Sequence, residues 1–417
     1  MYRSIYNSSP PVNAPSSQPA PTPATRSGLP VAALLAFAMT GFIAILTETL
    51  PAGLLPQIAS GLQVSDALAG QFVTLYALGS LLAAIPLTLA TQRWPRRRTL
   101  LTAVAGFLLF NSLTTLAPSY GIALVSRFMA GVAAGLSWGI LAGYARRLVP
   151  AQLQGKALAI AMVGTPLALS LGTPAGTWMG AALGWRASFG VMSVLAVMLV
   201  VWILKAVPDL PGQPADARAP LYRVLRLRGV LPVLAVIMVW MLGHNVLYTY
   251  VAPYLAAHGL QARVDTVLLT FGLTSLAGIW IIGVSVDRWL RPLVLLCLVG
   301  FGVASLVLAG AAANAAWVYL GVALWGLAFG GAATLLQTAA ADCAGDHVDV
   351  VQAMVTTAWN LAIALGGLCG GLLLARFGGN AAPWAMAAFS LIALLLAAWA
   401  THGFRPGVRH GPVVTAH

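Results

Sequence analysis

The sequence predicts an all-α membrane protein whose twelve transmembrane helices form two pseudo-symmetric six-helix bundles. Three observations carry that expectation. Of the 417 residues, 60% are hydrophobic and only 7% are charged, where an ordinary soluble chain carries about 25% charged residues. Most of the chain divides into apolar runs long enough to cross a hydrocarbon core, which takes about 20 residues per helix. Finally, an Arg-Trp pair after the second run, Arg93-Trp94, returns as Arg288-Trp289 after the eighth, 195 residues further on.

This composition excludes a soluble enzyme, a secreted disulfide scaffold and a disordered interaction protein. The net charge of +13 reflects 22 basic residues against 9 acidic ones, a scarcity of acids, and no polybasic nucleic-acid-binding domain is present. Nucleic acid is therefore not an expected partner. Cys297, Cys343 and Cys369 sit singly in apolar runs without CxxC spacing, so they read as small apolar packers.

Residues 1–29 carry Pro10, Pro11, Pro15, Pro19, Pro21 and Pro23 among small polar residues. Such a segment cannot bury enough apolar surface to fold and reads as a disordered tail. The runs that follow are 30–53, 67–91, 99–117, 121–144, 156–182 and 187–206, giving a first bundle over 30–206. A basic linker covers 207–229. The second bundle, 230–403, holds 230–256, 265–286, 292–312, 315–340, 350–375 and 382–403, and a tail over 404–417 closes the chain. Residues 292–341 contain no charged residue and are too long for one crossing, so a turn is placed at Ala313-Asn314. Basic residues assign the orientation. With the N-terminus inside, 18 of the 22 Lys and Arg fall in cytoplasmic segments, which expects both termini inside; the loop carrying Asp342, Asp346 and Asp349 dissents. Repeated six-helix halves are the pattern of secondary transporters, with the substrate between them near the midplane.

Several stretches resemble one family. They are Thr47 to Ser65 at the end of the first run, Arg93 to Leu101 between the second and third, and Arg127 with Gly131 in the fourth. Gly164 to Gly176 with Thr173-Pro174 follow in the fifth run, trailed by Gly184 to Phe189. Gly243 to Leu255, Gly283 with Asp287-Arg288, and Trp359 to Gly367 complete the set. Together they resemble the major facilitator superfamily, in its drug:proton antiporter branch with the arabinose-efflux and purine-ribonucleoside-efflux type permeases. The resemblance spans nearly all of 30–403. It implies the major facilitator fold and a loop motif at Gln92, Arg93, Arg96 and Arg97, matched in the second half by Gly283, Asp287 and Arg288. Two places depart from the family's usual loop: Gln92 stands where an acid precedes the Arg, and Pro95 where a Gly follows.

Glu48 is the only glutamate and lies about 27 Å along the first helix at 1.5 Å per residue. An ionised acid in hydrocarbon costs about 2.5–3.5 kcal/mol on insertion scales, so it needs a partner, a wet cavity or a proton. It is the candidate proton carrier, the alternative being a cap near the interface. Arg127 is the candidate partner, against the alternative that it snorkels to headgroups, and the family likeness places both on helices around a central cavity. Trp138, His244, Asn245, Tyr248, Tyr250, Trp325, Gln337 and Asn360 are candidate cavity residues. His244 is open to three readings: cavity wall, packer or second proton carrier. Glycines at 131, 135, 139 and 143, and again at 172, 176, 180 and 184, let backbones approach closely. Through the resemblance, Gly164, Gly172, Pro174 and Gly176 form an antiporter-type motif that closes the cytoplasmic side or limits leak. The arginines at 96 to 98 read as topology determinants or as gating residues.

The expected function is export of a small organic solute of the drug, sugar or nucleoside class, coupled to entering protons, in a bacterial inner membrane and as a monomer. Proton symport and uncoupled facilitated diffusion are the alternatives. No phosphate-cradling GxxxxGK[ST] loop is present, because Gly155-Lys156 has Pro150 and Ala157 at the flanking positions. No acid or histidine cluster suggests an enzyme, and no cofactor or metal is expected.

Overall fold

The computed structural model describes residues 29–212, 224–311, 314–344 and 347–404. Most of both tails, Ala313, Asp346, and residues 213–223 of the linker lie outside that set. Helices account for most of the rest, and among the described residues there is no strand.

The crossings are α1 (Val31–Gly53), α2 (Asp66–Ala90), α3 (Arg96–Leu116), α4 (Tyr120–Arg147), α5 (Gln154–Leu183) and α6 (Trp185–Ala206). The second half runs α7 (Val230–Thr249), then one long segment (Val264–Ala309), then α10 (Ala315–Ala344), α11 (Val348–Phe377) and α12 (Ala381–Trp399). The 46-residue segment is two crossings, α8 and α9, because Trp289 breaks it with φ −128° and ψ 29°. The sequence places a loop of several residues there; a single residue makes the turn, and Pro292 follows where a helix start tolerates a missing N–H. Counted so, twelve crossing helices lie among the described residues. Of the turn expected at Ala313-Asn314, the described residue Asn314 caps α10, its side chain accepting the Ala316 N–H at 2.9 Å.

The six-helix repeat appears as shared packing. In the first half α2 and α4 meet backbone to backbone, where Gly131 faces the Tyr76 carbonyl and Gly135 the Ser80 carbonyl. In the second half α8 and α10 do the same, Gly278 against the Leu327 carbonyl and Gly330 against Ser275. A side chain at any of these would force the helices apart. The α5 ladder serves a different neighbour: Gly164 meets the backbone of Ala38, Gly172 meets Phe42 and Gly176 meets Leu50, all on α1. Pro174 follows a π-helical stretch, Ala168–Gly172.

Lipid-facing positions carry exposed apolar residues such as Leu109, Met198, Trp280 and Leu395. α1, by contrast, is buried along most of its length. Several of the candidate site residues lie on it or pack against it.

The two halves touch at the face away from the arginine-rich loops. There the Tyr250 hydroxyl, which donates to the Gly367 carbonyl of its own half at 2.7 Å, lies 3.4 Å from the Ala67 carbonyl of the first half, and Gln71 Nε2 approaches it at 3.5 Å. Below this, Val73 and Ala77 of α2 pack on Ile363 and Ala364 of α11, and Gly367 faces Thr74. Across the other seam, Gly272 of α8 lies against the backbone of Ser170 on α5. We call this closed side the far face and the opposite one the basic face.

Candidate functional site

Pro51 sets the local chemistry of α1. It has no N–H, so the Thr47 carbonyl four residues earlier loses its intrahelical donor. An orphaned carbonyl inside a membrane protein must find another partner. Arg127 of α4 supplies it, donating from Nη2 to the Thr47 oxygen. Asn111 of α3 donates to the Thr47 hydroxyl at 3.0 Å, so one threonine ties α1 to two neighbours.

Arg127 is fully buried. It does not snorkel. Its guanidinium carbon lies 5.0 Å from the Tyr76 ring and 5.3 Å from the Phe189 ring, geometry in which aromatic faces offset part of the cost of a buried cation. Its Nε and Nη1 have no hydrogen-bond partner among the described residues.

Glu48 is 9% exposed, deep in the bundle, and does not cap a helix end at the interface. Arg127, Tyr76 and Tyr248 are all within its electrostatic reach. Among the described residues its carboxyl closes no ion pair. The expected Glu48–Arg127 pair is thus an electrostatic neighbour relation, because the guanidinium is engaged with the backbone one residue away.

Thr49, next along α1, hydrogen-bonds Thr173 of α5 at 2.8 Å. The Tyr248 hydroxyl of α7 lies beside that pair without closing a hydrogen bond. Residues 47, 48 and 49 therefore face three walls in succession, as 100° steps around a helix require.

His244 sits in an aromatic box. Its ring stacks on Phe329 with centroids 3.7 Å apart and planes 2° apart, and Tyr248 lies 5.1 Å away. Trp325 Nε1 donates to His244 Nδ1 at 3.2 Å, which makes Nδ1 an acceptor. Phe271 of α8 closes the box against Trp325 at 4.6 Å.

The other cavity candidates divide. Trp138 is half-buried, with its ring against Gly41 of α1. Asn245 and Asn360 are buried, and each donates to a carbonyl of its own helix, Met241 at 2.8 Å and Thr356 at 3.0 Å. Gln337 is exposed on α10. Tyr250 is not with Tyr248, since residues two apart on a helix face different ways; α7 ends at Tyr250 with φ −112° and ψ 27°, and its hydroxyl belongs to the far-face seam.

At the basic face, loop 208–212 docks on the first half. Arg96 N–H donates to the Leu210 carbonyl at 2.8 Å and Arg97 N–H to Asp209 Oδ1 at 3.1 Å. Tyr144 donates to the Pro208 carbonyl, and Arg147 to that of Pro211 at 2.9 Å. Gln92 and Arg93 lie in the turn beside it, Arg93 against Gly212. Gly283 has open space around it and Asp287 and Arg288 are exposed, with Arg288 5.6 Å from the Trp289 ring. Sequence alone does not point to Asn111, Phe271, Phe329 or Asp209, and Thr47 and Thr173 enter only as members of family-like stretches. The one signal was Pro51, four residues after Thr47.

Comparison with known proteins agrees with this architecture. A purine ribonucleoside efflux pump of Escherichia coli is 32% identical over 338 residues, 78% of this chain and 83% of the relative. A chloramphenicol efflux pump of Mycobacterium tuberculosis is 30% identical over 357 residues, 82% of this chain and 86% of the relative. A probable sugar efflux transporter of Helicobacter pylori is 28% identical over 372 residues, 88% and 95% of the two chains. Among solved structures, a D-xylose-proton symporter superposes with a TM-score of 0.71 at 15% identity, covering 88% of this chain and 96% of that one. The Major Facilitator Superfamily profile matches residues 37–348 and 264–413, and the chain is a multi-pass membrane transporter of that superfamily.

Proposed function

We propose that this transporter exports a small organic solute from a bacterial cytoplasm in exchange for protons, as a monomer in the inner membrane with both termini inside. The observation that carries the proposal is Glu48: a buried carboxyl beside a buried arginine, at the point where α1, α4, α5 and α7 converge. Leaving a carboxylate there uncompensated is costly, and a proton removes the charge. A carboxyl so placed can carry a proton from one side to the other as access alternates.

In the proposed cycle the bundles 30–206 and 230–403 rock about this region. With the far side open, Glu48 takes a proton from outside. Turned to the basic side, it gives the proton up as solute enters between the halves. The aromatic box and the neighbouring hydroxyls of Tyr248, Thr49 and Thr173 supply stacking and hydrogen bonds to that solute. Three relatives that are named for the efflux of sugars, chloramphenicol and purine ribonucleosides support export and a small organic cargo.

The test uses inverted membrane vesicles holding a proton gradient. Adding a transported solute should dissipate the gradient, and Glu48→Gln should abolish that response while the protein remains folded and still binds the solute. Dissipation undiminished in Glu48→Gln removes Glu48 from the coupling role. Solute movement with no proton movement at all would instead support uncoupled diffusion.

A further inference from the structure

A groove of about 420 Å³ opens on the outside of the first bundle, between α3 and the end of α6. It is remote from Glu48 and from the aromatic box. Arg97, Arg98 and Asp209 line its charged end, and Leu101, Ala105 and Leu204, with the hydroxyl-bearing Thr102 among them, line the rest as its floor. The order along α3 matters. Arg97, Leu101 and Ala105 are four residues apart in turn and share one face, so the lining passes from charged to apolar over about 12 Å at 1.5 Å per residue.

Beyond the groove the same surface continues as exposed Leu109 on α3 and Val197, Met198 and Val201 on α6, with Leu204 itself 53% exposed. Trp94 and Trp202, both partly exposed, mark the level of the interface. Arg98 holds its guanidinium over the Trp94 ring at 4.8 Å. Neither arginine side chain has a hydrogen-bond or ion-pair partner among the described residues. Asp209 lies on the rim and accepts the Arg97 backbone N–H, so two cations face one carboxylate.

The geometry points to a binding site for an anionic phospholipid, with the phosphate between Arg97 and Arg98 and one acyl chain along Leu101, Ala105 and Leu204. Charge complementarity selects the headgroup, and the mainly apolar floor selects a lipid over a soluble anion. A small phosphate would leave the floor unused.

The test uses the full-length protein in mixed micelles of phosphatidylcholine and phosphatidylglycerol, reading the lipid retained per molecule after purification. Phosphatidylglycerol should be enriched over its bulk share. Each arginine near an anionic surface contributes about fivefold to partition, so Arg97→Gln/Arg98→Gln should lose most of the enrichment, while Arg146→Gln should keep it. Ala105→Trp, which fills the floor and leaves both arginines in place, should also lose it; that variant decides the matter if the double variant fails to fold. Equal retention of the two lipids by the unaltered protein, or undiminished enrichment in Arg97→Gln/Arg98→Gln or Ala105→Trp, overturns the proposal. Displacement of the bound lipid by glycerol phosphate at comparable concentration would make the ligand a soluble anion and overturn it equally.

Discussion

Arg127 donates to the main-chain carbonyl of Thr47 and not to the carboxyl of Glu48. The cause lies four residues along α1, where Pro51 withholds the N–H that carbonyl would otherwise accept. A charged donor to a buried acceptor contributes about 1.5–3 kcal/mol. Arg127→Ala should therefore lower thermal stability by roughly that amount. Adding Pro51→Ala restores an N–H to the Thr47 carbonyl, so the double variant should be more stable than the two single effects sum to. Strict additivity in thermal unfolding would break the proposed link between the proline and the arginine.

The same geometry bears on the charge exchange Glu48→Arg/Arg127→Glu. A glutamate at 127 cannot donate to the Thr47 carbonyl, and the two carboxylate oxygens would face it as acceptors. We expect no recovery of transport in the exchanged protein relative to Arg127→Glu alone. Recovery measured by solute flux would show that the pair acts as a simple salt bridge after all.

His244 presents a contrasting case. Its Nδ1 accepts the Trp325 indole N–H, and its ring is held flat on Phe329. A proton placed on Nδ1 would meet that donor head on, so the side chain suits a wall better than a carrier. His244→Phe leaves the indole N–H buried and unpaired, a cost of about 1–3 kcal/mol. The variant should be less stable and bind solute more weakly, yet keep the ratio of protons to solute. A changed ratio in a flux assay would return His244 to the list of carriers.

The far-face seam is predicted to govern access. The Tyr250 hydroxyl donates to the Gly367 carbonyl at 2.7 Å and sits beside Gln71 and Ala67 of the other half. Tyr250→Phe removes these polar contacts and keeps the ring, so the seam should open more often. In a background with the three cysteines replaced, a cysteine at Thr74 should react several times faster with a membrane-impermeant thiol reagent. Gly367→Leu should act more strongly, since any side chain there collides with Thr74; it should hold the far side open and stop turnover without unfolding the protein. An unaltered labelling rate in both variants would place the gate elsewhere.

What the sequence could disclose follows from what each feature depends on. Twelve crossings are legible because hydrocarbon thickness fixes helix length, and Glu48 stands out because an acid in such a helix is expensive. The partner of Arg127 is not legible, since it is a backbone atom freed by a proline. Phe271 and Phe329 look like any apolar residue of α8 and α10, and only the fold brings them to His244. Tyr250, two residues from Tyr248, already points to another side of the helix, but only the fold shows that this side is the seam. The missing acid before Arg93 was legible as a departure. Its surroundings were not, because loop 208–212 comes from more than a hundred residues away.

That loop supports the last prediction. Asp209 accepts the Arg97 N–H at the first turn of α3, an N–H that has no intrahelical partner. The start of α3 otherwise offers only Pro95, whose side chain cannot cap. Losing a carboxylate at a helix N-terminus costs about 1 kcal/mol. Asp209→Ala should therefore destabilise the protein by about that amount, and Asp209→Asn, which keeps an accepting oxygen, by less. The contacts of Leu210, Pro208 and Pro211 with Arg96, Tyr144 and Arg147 should hold the loop in place in both, so a cleavable peptide bond engineered at 210 should stay protected. Rapid cleavage in Asp209→Asn would mean that the carboxylate charge, and not the hydrogen bond, anchors the segment.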